Sequence, residues 1–216
     1  MPLIDVHQGL IVTGAPGAGS SSILAAFAAL PSMRAVPETD LVDDAGRQAL
    51  DAKHATVSDL VAHGLLPAGH GMTILTTTRN PFTYWPAEWE RTRHRWSTEL
   101  DDETSWVRRQ PGAVSRIRAA MDLDFGPWLR QALEPELSGG GTRRINPGHL
   151  DEAHLVLRVE HLDDDLDELG MRGWLPVPHL NRGAGRPPTR SYYDDALRTA
   201  VEQLYGDDLT RFGYHW

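Results

Sequence analysis

Residues 10–24 read Leu-Ile-Val-Thr-Gly-Ala-Pro-Gly-Ala-Gly-Ser-Ser-Ser-Ile-Leu, an apolar strand-type run, then a Gly/Pro turn, then a serine-rich helix start. A strand that feeds a helix through a tight turn is the first half of a βαβ unit, which commits the chain to an α/β layer fold. The same order leaves backbone N–H groups at a helix N-terminus facing one pocket. Orphan donors and the helix dipole both favour an anion there, so the stretch reads as a phosphate-binding loop. Gly, Pro and Ser also fill ordinary strand-to-helix corners. Which phosphate, and for what reaction, depends on the rest of the chain.

The 216 residues are enough for one domain with a real core. A net charge of −9, from 21 basic against 30 acidic residues, argues against a general nucleic-acid binder. With no cysteine, disulfides, thiolate catalysis and cysteine–zinc sites are excluded. Lys53 is the only lysine, so a mechanism needing a lysine elsewhere is excluded too. No H-E-x-x-H or similar ligand spacing occurs, and no metal is expected. There is no secretory pattern and no apolar run near the roughly 18 residues of a membrane span. The expectation is a cytoplasmic chain with no membrane partner.

Apolar and β-branched runs predict strands over residues 9–13, 33–36, 72–78 and 154–159. Helices are expected over 20–30, 81–97, 103–110, 114–137 (broken near Gly126-Pro127), 162–169 and 192–205, with one or two surface helices in 44–63. The alternation predicts a single domain over residues 1–216, a three-layer α/β sandwich around a central parallel sheet. Ligands of such sheets sit beyond the carboxyl ends of the strands, where the glycine loop, Glu38, Arg79 and Glu160 all fall. Trp85, Trp89 and Trp96 share one helix and are expected as core anchors.

Two phosphate-loop patterns fit in part. The Walker A spacing is met at Gly14, Gly19 and Ser21, but Ser20 stands where a kinase or ATPase uses its lysine. Gly17-Ala18-Gly19 begins a dinucleotide fingerprint, but Ser22 holds its third position and the spacing is imperfect. A Tyr-x-x-x-Lys pair with Lys53 would need a tyrosine at position 49, which is Ala49.

A third pattern covers nearly the whole chain. Pro16-Gly17-Ala18-Gly19-Ser20-Ser21-Ser22 resembles the 5′-phosphosulfate loop of the sulfotransferases, which move sulfuryl from 3′-phosphoadenylyl sulfate (PAPS) to a hydroxyl or amine. Arg79-Asn80-Pro81, followed by an aromatic helix, is similar to the family's second signature, and Arg158-Val159-Glu160-His161-Leu162 to a third. The tail is also of the family type, with Asn181, Tyr192-Tyr193-Asp194-Asp195, Leu204-Tyr205, Asp207-Asp208-Leu209 and Phe212-Gly213-Tyr214.

This resemblance implies a P-loop-related fold of the sulfotransferase type and PAPS as co-substrate without a metal. It places the phosphosulfate on residues Pro16, Gly17, Ala18, Gly19, Ser20, Ser21 and Ser22. It assigns the 3′-phosphate to Arg79 and to a glycine-rich loop carrying Arg182, Gly183 and Arg186. Glu38 is the expected general base, with His94 and His70 as alternatives. The acceptor would be a small molecule or a carbohydrate. The chain departs from the family at two positions: its loop lysine is Gly17 and its 3′-phosphate serine is Ala87. Arg93, Arg95, Arg182 and Arg186 are the candidates to replace the lysine's charge. A PAPS or nucleotide binder without catalysis, and an ATP-dependent kinase-like transferase, are the alternative readings.

Overall fold

The structure, a computed structural model, describes residues 1–45, 47–110, 112–180 and 189–216. In chain order the elements are β1 (Leu3–Asp5), β2 (Leu10–Val12), α1 (Ser20–Ala28), β3 (Arg34–Ala35), β4 (Leu41–Val42), β5 (Gln48–Leu50), α2 (Val57–Ala62) and β6 (Thr73–Thr78). Next come α3 (Pro81–Glu90), α4 (Trp106–Arg109), α5 (Ala113–Asp122), α6 (Phe125–Gly139) and α7 (Pro147–Glu152). The chain ends with β7 (Leu155–Arg158), α8 (Leu162–Glu168), α9 (Asp195–Leu204) and α10 (Gly206–Phe212). Contacts divide it into two compact units, each discontinuous in sequence: Met1–Arg79 with Ile145–Arg182, and Asn80–Arg144 with Gly183–Trp216.

The first unit is built on a five-stranded sheet of order β3-β1-β2-β6-β7. β2, β6 and β7 pair in parallel, whereas β1 is antiparallel to both its neighbours, β2 and β3. The expected all-parallel sheet is therefore corrected to a mixed one, with four strands running one way and β1 against them. The reason is a hairpin. The Asp5 carboxylate accepts from the backbone N–H groups of His7 (2.9 Å) and Gln8 (3.0 Å), and Gly9 sits at φ 62°, so the chain turns straight back into β2.

Side-chain alternation sorts this unit's core onto two faces. Leu3, Val12, Leu75 and Leu157 pack against Ile23, Ala26 and Phe27 of α1 and Leu166 of α8. Ile4, Ile11 and Ile74 face the other way, toward Val57 and Leu60 of α2. Helices thus cover both faces, as strands buried on both sides require. The expected surface helices in 44–63 are replaced by the β4–β5 hairpin followed by the single helix α2. Asp43 Oδ1 accepts from the N–H groups of both Ala45 and Arg47 at 2.9 Å, which makes a turn where helical spacing had suggested continuity. α2 then starts at a capping box, with Thr56 and Asp59 bonding each other's backbone.

The second unit is helical. Asn80 caps α3 by accepting from Phe82 N–H (3.0 Å), and Pro81 occupies the first turn, where a missing N–H costs nothing. Past α3 the chain makes a π-helical turn at Arg91–Arg95 and a 3-10 turn at Trp96–Glu99. Trp85 is buried, stacks edge-on with Trp128 (centroids 5.8 Å) and donates Nε1–H to the Tyr205 hydroxyl at 3.2 Å. Of the three tryptophans expected as core anchors on one helix, Trp85 is one; Trp89 is half-buried, and Trp96, also half-buried, lies past the end of α3 in the 3-10 turn. Among the described residues no helix is long and apolar enough to cross a membrane.

Candidate functional site

The glycine loop leaves the carboxyl end of β2 and enters α1. Thr13 N–H still bonds to Leu75 O (2.9 Å), so the loop is anchored to the adjacent strand β6 before it departs. Gly14 is needed for space: a Cβ there would lie 2.8 Å from the Lys53 carbonyl oxygen and 2.9 Å from Leu24 Cδ1. Gly17 and Gly19 are needed for conformation, at φ 71° and 70°. A Cβ on Gly19 would also meet Val159 Cγ2 at 2.9 Å, so the end of β7 packs directly on the loop.

Three loop carbonyls are held by side chains from three distant segments. His54 Nδ1 lies 2.8 Å from Gly14 O, Asn146 Nδ2 donates to Pro16 O at 2.8 Å, and Arg79 donates to Gly17 O at 3.4 Å. α1 begins immediately after Gly19, with no side-chain cap and no acidic residue in its first turn. Carbonyls tied to the protein and an uncapped helix start are the arrangement that accepts an anion.

Arg79 and Glu160 follow the carboxyl ends of β6 and β7, and the pairing of Thr78 with Arg158 brings those ends together. The Arg79 Nε lies 3.9 Å from Glu160 Oε1, both side chains being about one-quarter exposed. Behind the loop, His149 is buried and His54 half-buried, and both imidazoles are held below the ordinary value. Desolvation is the main cause for each. The Gly14 carbonyl acts in the opposite direction on His54, as the His54 carbonyl does on His149.

Of the residues expected from sequence, Pro16, Gly17, Ala18, Gly19, Ser20, Ser21, Ser22 and Arg79 are brought to one place. Ser22 also accepts from Leu180 N–H (3.1 Å) through its hydroxyl. Glu38 is exposed, three residues past β3. Ala35 and Val12 both pair with Leu3, so β3 ends on the same edge of the sheet as β2, two strand spacings (roughly 10 Å) away, and Glu38 follows that end. His70 precedes the amino end of β6, the opposite edge from the loop, and is not positioned to act there.

His94 belongs to the second unit, two-thirds exposed, with Nε2 3.1 Å from Glu90 Oε2. In the same π-helical turn Arg93 stacks over Trp89 (5.0 Å to the ring centroid). Ala87 is buried in α3. Asn181, Arg182, Gly183 and Arg186 lie outside the described residues. Sequence reasoning missed His54, Asn146 and His149. The available signal was Asn146-Pro147-Gly148, a proline at a helix first turn, within what reads as linker. Among the described residues no cluster of His, Asp and Glu is arranged to hold a metal. No family model, curated protein or solved structure matches this chain.

Proposed function

We propose that this chain is a sulfotransferase-like protein that binds PAPS and transfers its sulfuryl group to a hydroxyl or amine of a small molecule or carbohydrate. The observation that carries the reading is the meeting of Arg79 with Gly17: the end of β6 delivers a guanidinium to the glycine loop at the head of α1. Helices on both sheet faces, with the loop between β2 and α1, support the finer description of a P-loop-type sandwich. The loop fits a phosphosulfate through its left-handed glycines, its tied carbonyls and its uncapped helix start.

PAPS brings the activated sulfuryl; the chain's own residues supply positioning, charge and a proton acceptor. Backbone N–H groups of Gly17, Gly19, Ser20 and Ser21 hold the terminal anion, those of Ala18 and Ser22 being taken by Ala15 O and Gly19 O. Arg79 faces a phosphate oxygen with a planar fork suited to bidentate contact. Glu38 takes the proton of the acceptor hydroxyl as its oxygen bonds sulfur and the sulfur–oxygen bond to the phosphate breaks. Positioning and charge neutralisation account for most of the rate in such transfers.

One observation favours binding without catalysis as the second reading. Gly17, at the position of the family's lysine, has a backbone conformation that L side chains rarely adopt, φ 71°. The loop is built for glycine there. Calorimetric titration separates the readings from nucleotide hydrolysis: 3′,5′-ADP should bind and ATP should not. Indifference to 3′,5′-ADP overturns both PAPS readings. Transfer of labelled sulfate from PAPS to an acceptor panel then distinguishes enzyme from binder.

A further inference from the structure

Asn146 is the only non-glycine residue with positive φ among the described residues, at φ 52° and ψ 54°. Asparagine tolerates the left-handed region better than most side chains, but a residue held there still marks a place where the surroundings dictate the backbone. Two constraints act at this position. Pro147 follows and opens α7, which packs on β6 and beside α2, where the Glu152 carboxylate accepts from Val57 N–H (2.7 Å) and Ser58 N–H (2.8 Å). The Asn146 carboxamide reaches 130 residues back along the sequence to donate to Pro16 O at 2.8 Å. Pro16 immediately precedes Gly17, the first left-handed residue of the loop.

A peptide plane has its carbonyl and its N–H on opposite sides. Fixing the Pro16 carbonyl therefore fixes the direction of the Gly17 N–H, which belongs to the same peptide unit. His54 does the same one turn earlier, through Gly14 O and the Ala15 N–H. We propose that Asn146 is a positioning residue for anion binding: by holding the Pro16 carbonyl it pre-aims the Gly17 N–H at the ligand. Without the clamp the glycine-rich segment would have to be ordered by the ligand itself, and that entropy would be lost from affinity. The inference rests on the phosphate-loop reading but not on the identity of the nucleotide.

Inorganic pyrophosphate is the probe, titrated calorimetrically into the full chain and into Asn146→Gly and Asn146→Asp. Glycine keeps the left-handed backbone and removes only the donor; aspartate keeps the backbone and turns the donor into an acceptor. Asn146→Gly should weaken pyrophosphate binding at least about fivefold, the effect of one lost hydrogen bond, with an unchanged melting temperature. Asn146→Asp should weaken it further near pH 7.5, and its deficit relative to Asn146→Gly should shrink as pH falls toward about 4, where an aspartate carboxyl regains its proton. A purely structural residue would move the melting temperature and show no such pH recovery. Parent-like pyrophosphate affinity in both variants overturns the role of Asn146 and leaves the loop reading standing. No pyrophosphate binding by the parent chain overturns both. Pyrophosphate binding without 3′,5′-ADP binding overturns PAPS alone.

Discussion

Arg79 Nη1 donates to the Gly17 carbonyl at 3.4 Å, so the end of one strand and the loop leaving the next are joined through a guanidinium. The same side chain lies 3.9 Å from Glu160. A cation at the loop is thus partly neutralised by an internal carboxylate, and an incoming anion must compete with it. Removing Arg79 and removing Glu160 should therefore have opposite effects. Arg79→Ala should weaken 3′,5′-ADP at least about tenfold, as loss of a charge-assisted contact does. Glu160→Gln should tighten it by roughly two- to fivefold, the range of an exposed ion pair, and less at high salt. Calorimetry at two ionic strengths checks both signs.

Glycine 19 carries two separable constraints, positive φ and the 2.9 Å approach of Val159 Cγ2. Gly19→Ala should destabilise by about 1–3 kcal/mol, backbone strain and overpacking acting together. Adding Val159→Ala should relieve the packing part and leave the φ part. A double-mutant cycle on denaturant midpoints reads the coupling; additivity within about 0.5 kcal/mol would mean that Val159 yields freely.

His149, buried, and His54, half-buried, give stability a pH dependence of known sign. Both have folded-state values below the ordinary one near 6.5. As pH falls through that value the unfolded chain takes up protons that the folded chain does not. The unfolded state then binds more protons, and stability declines until the folded-state values are passed. Above about pH 7.5 the contribution is fully present. Melting temperature should drop between pH 7.5 and 5, and His149→Gln should flatten that drop without abolishing it, since His54 remains.

Glu38→Gln should abolish sulfate transfer while leaving 3′,5′-ADP affinity unchanged, because a base contributes to the proton step and not to nucleotide binding. His94→Gln, in the other unit, is the comparison. Full turnover in Glu38→Gln together with loss in His94→Gln would transfer the role of base to the histidine.

Much of the fold was legible locally. Leu10-Ile11-Val12 and the β-branched run ending at Thr78 announce strands because a buried parallel strand needs nothing but apolar and β-branched side chains. The glycine pattern announces the loop, since left-handed φ and close backbone approach leave few alternatives to glycine. Other features were decided by contacts between distant parts of the chain. β1 is three residues long, too short to show a period, and its direction depends on the turn that Asp5 closes. The hairpin over β4 and β5 shares its composition with a polar helix and is settled by the Asp43 turn. The loop's clamps come from His54 and Asn146, 40 and 130 residues from their partners, and no local pattern encodes a bond across that separation. Residues 10–24 by themselves determine a strand, a glycine turn and a helix start, because strand formation, glycine conformation and the orphan N–H groups of a helix are local properties. Which way the N–H groups of Ala15, Gly17 and Ala18 point is decided only by the tertiary structure, because each is opposite a carbonyl that a remote side chain holds.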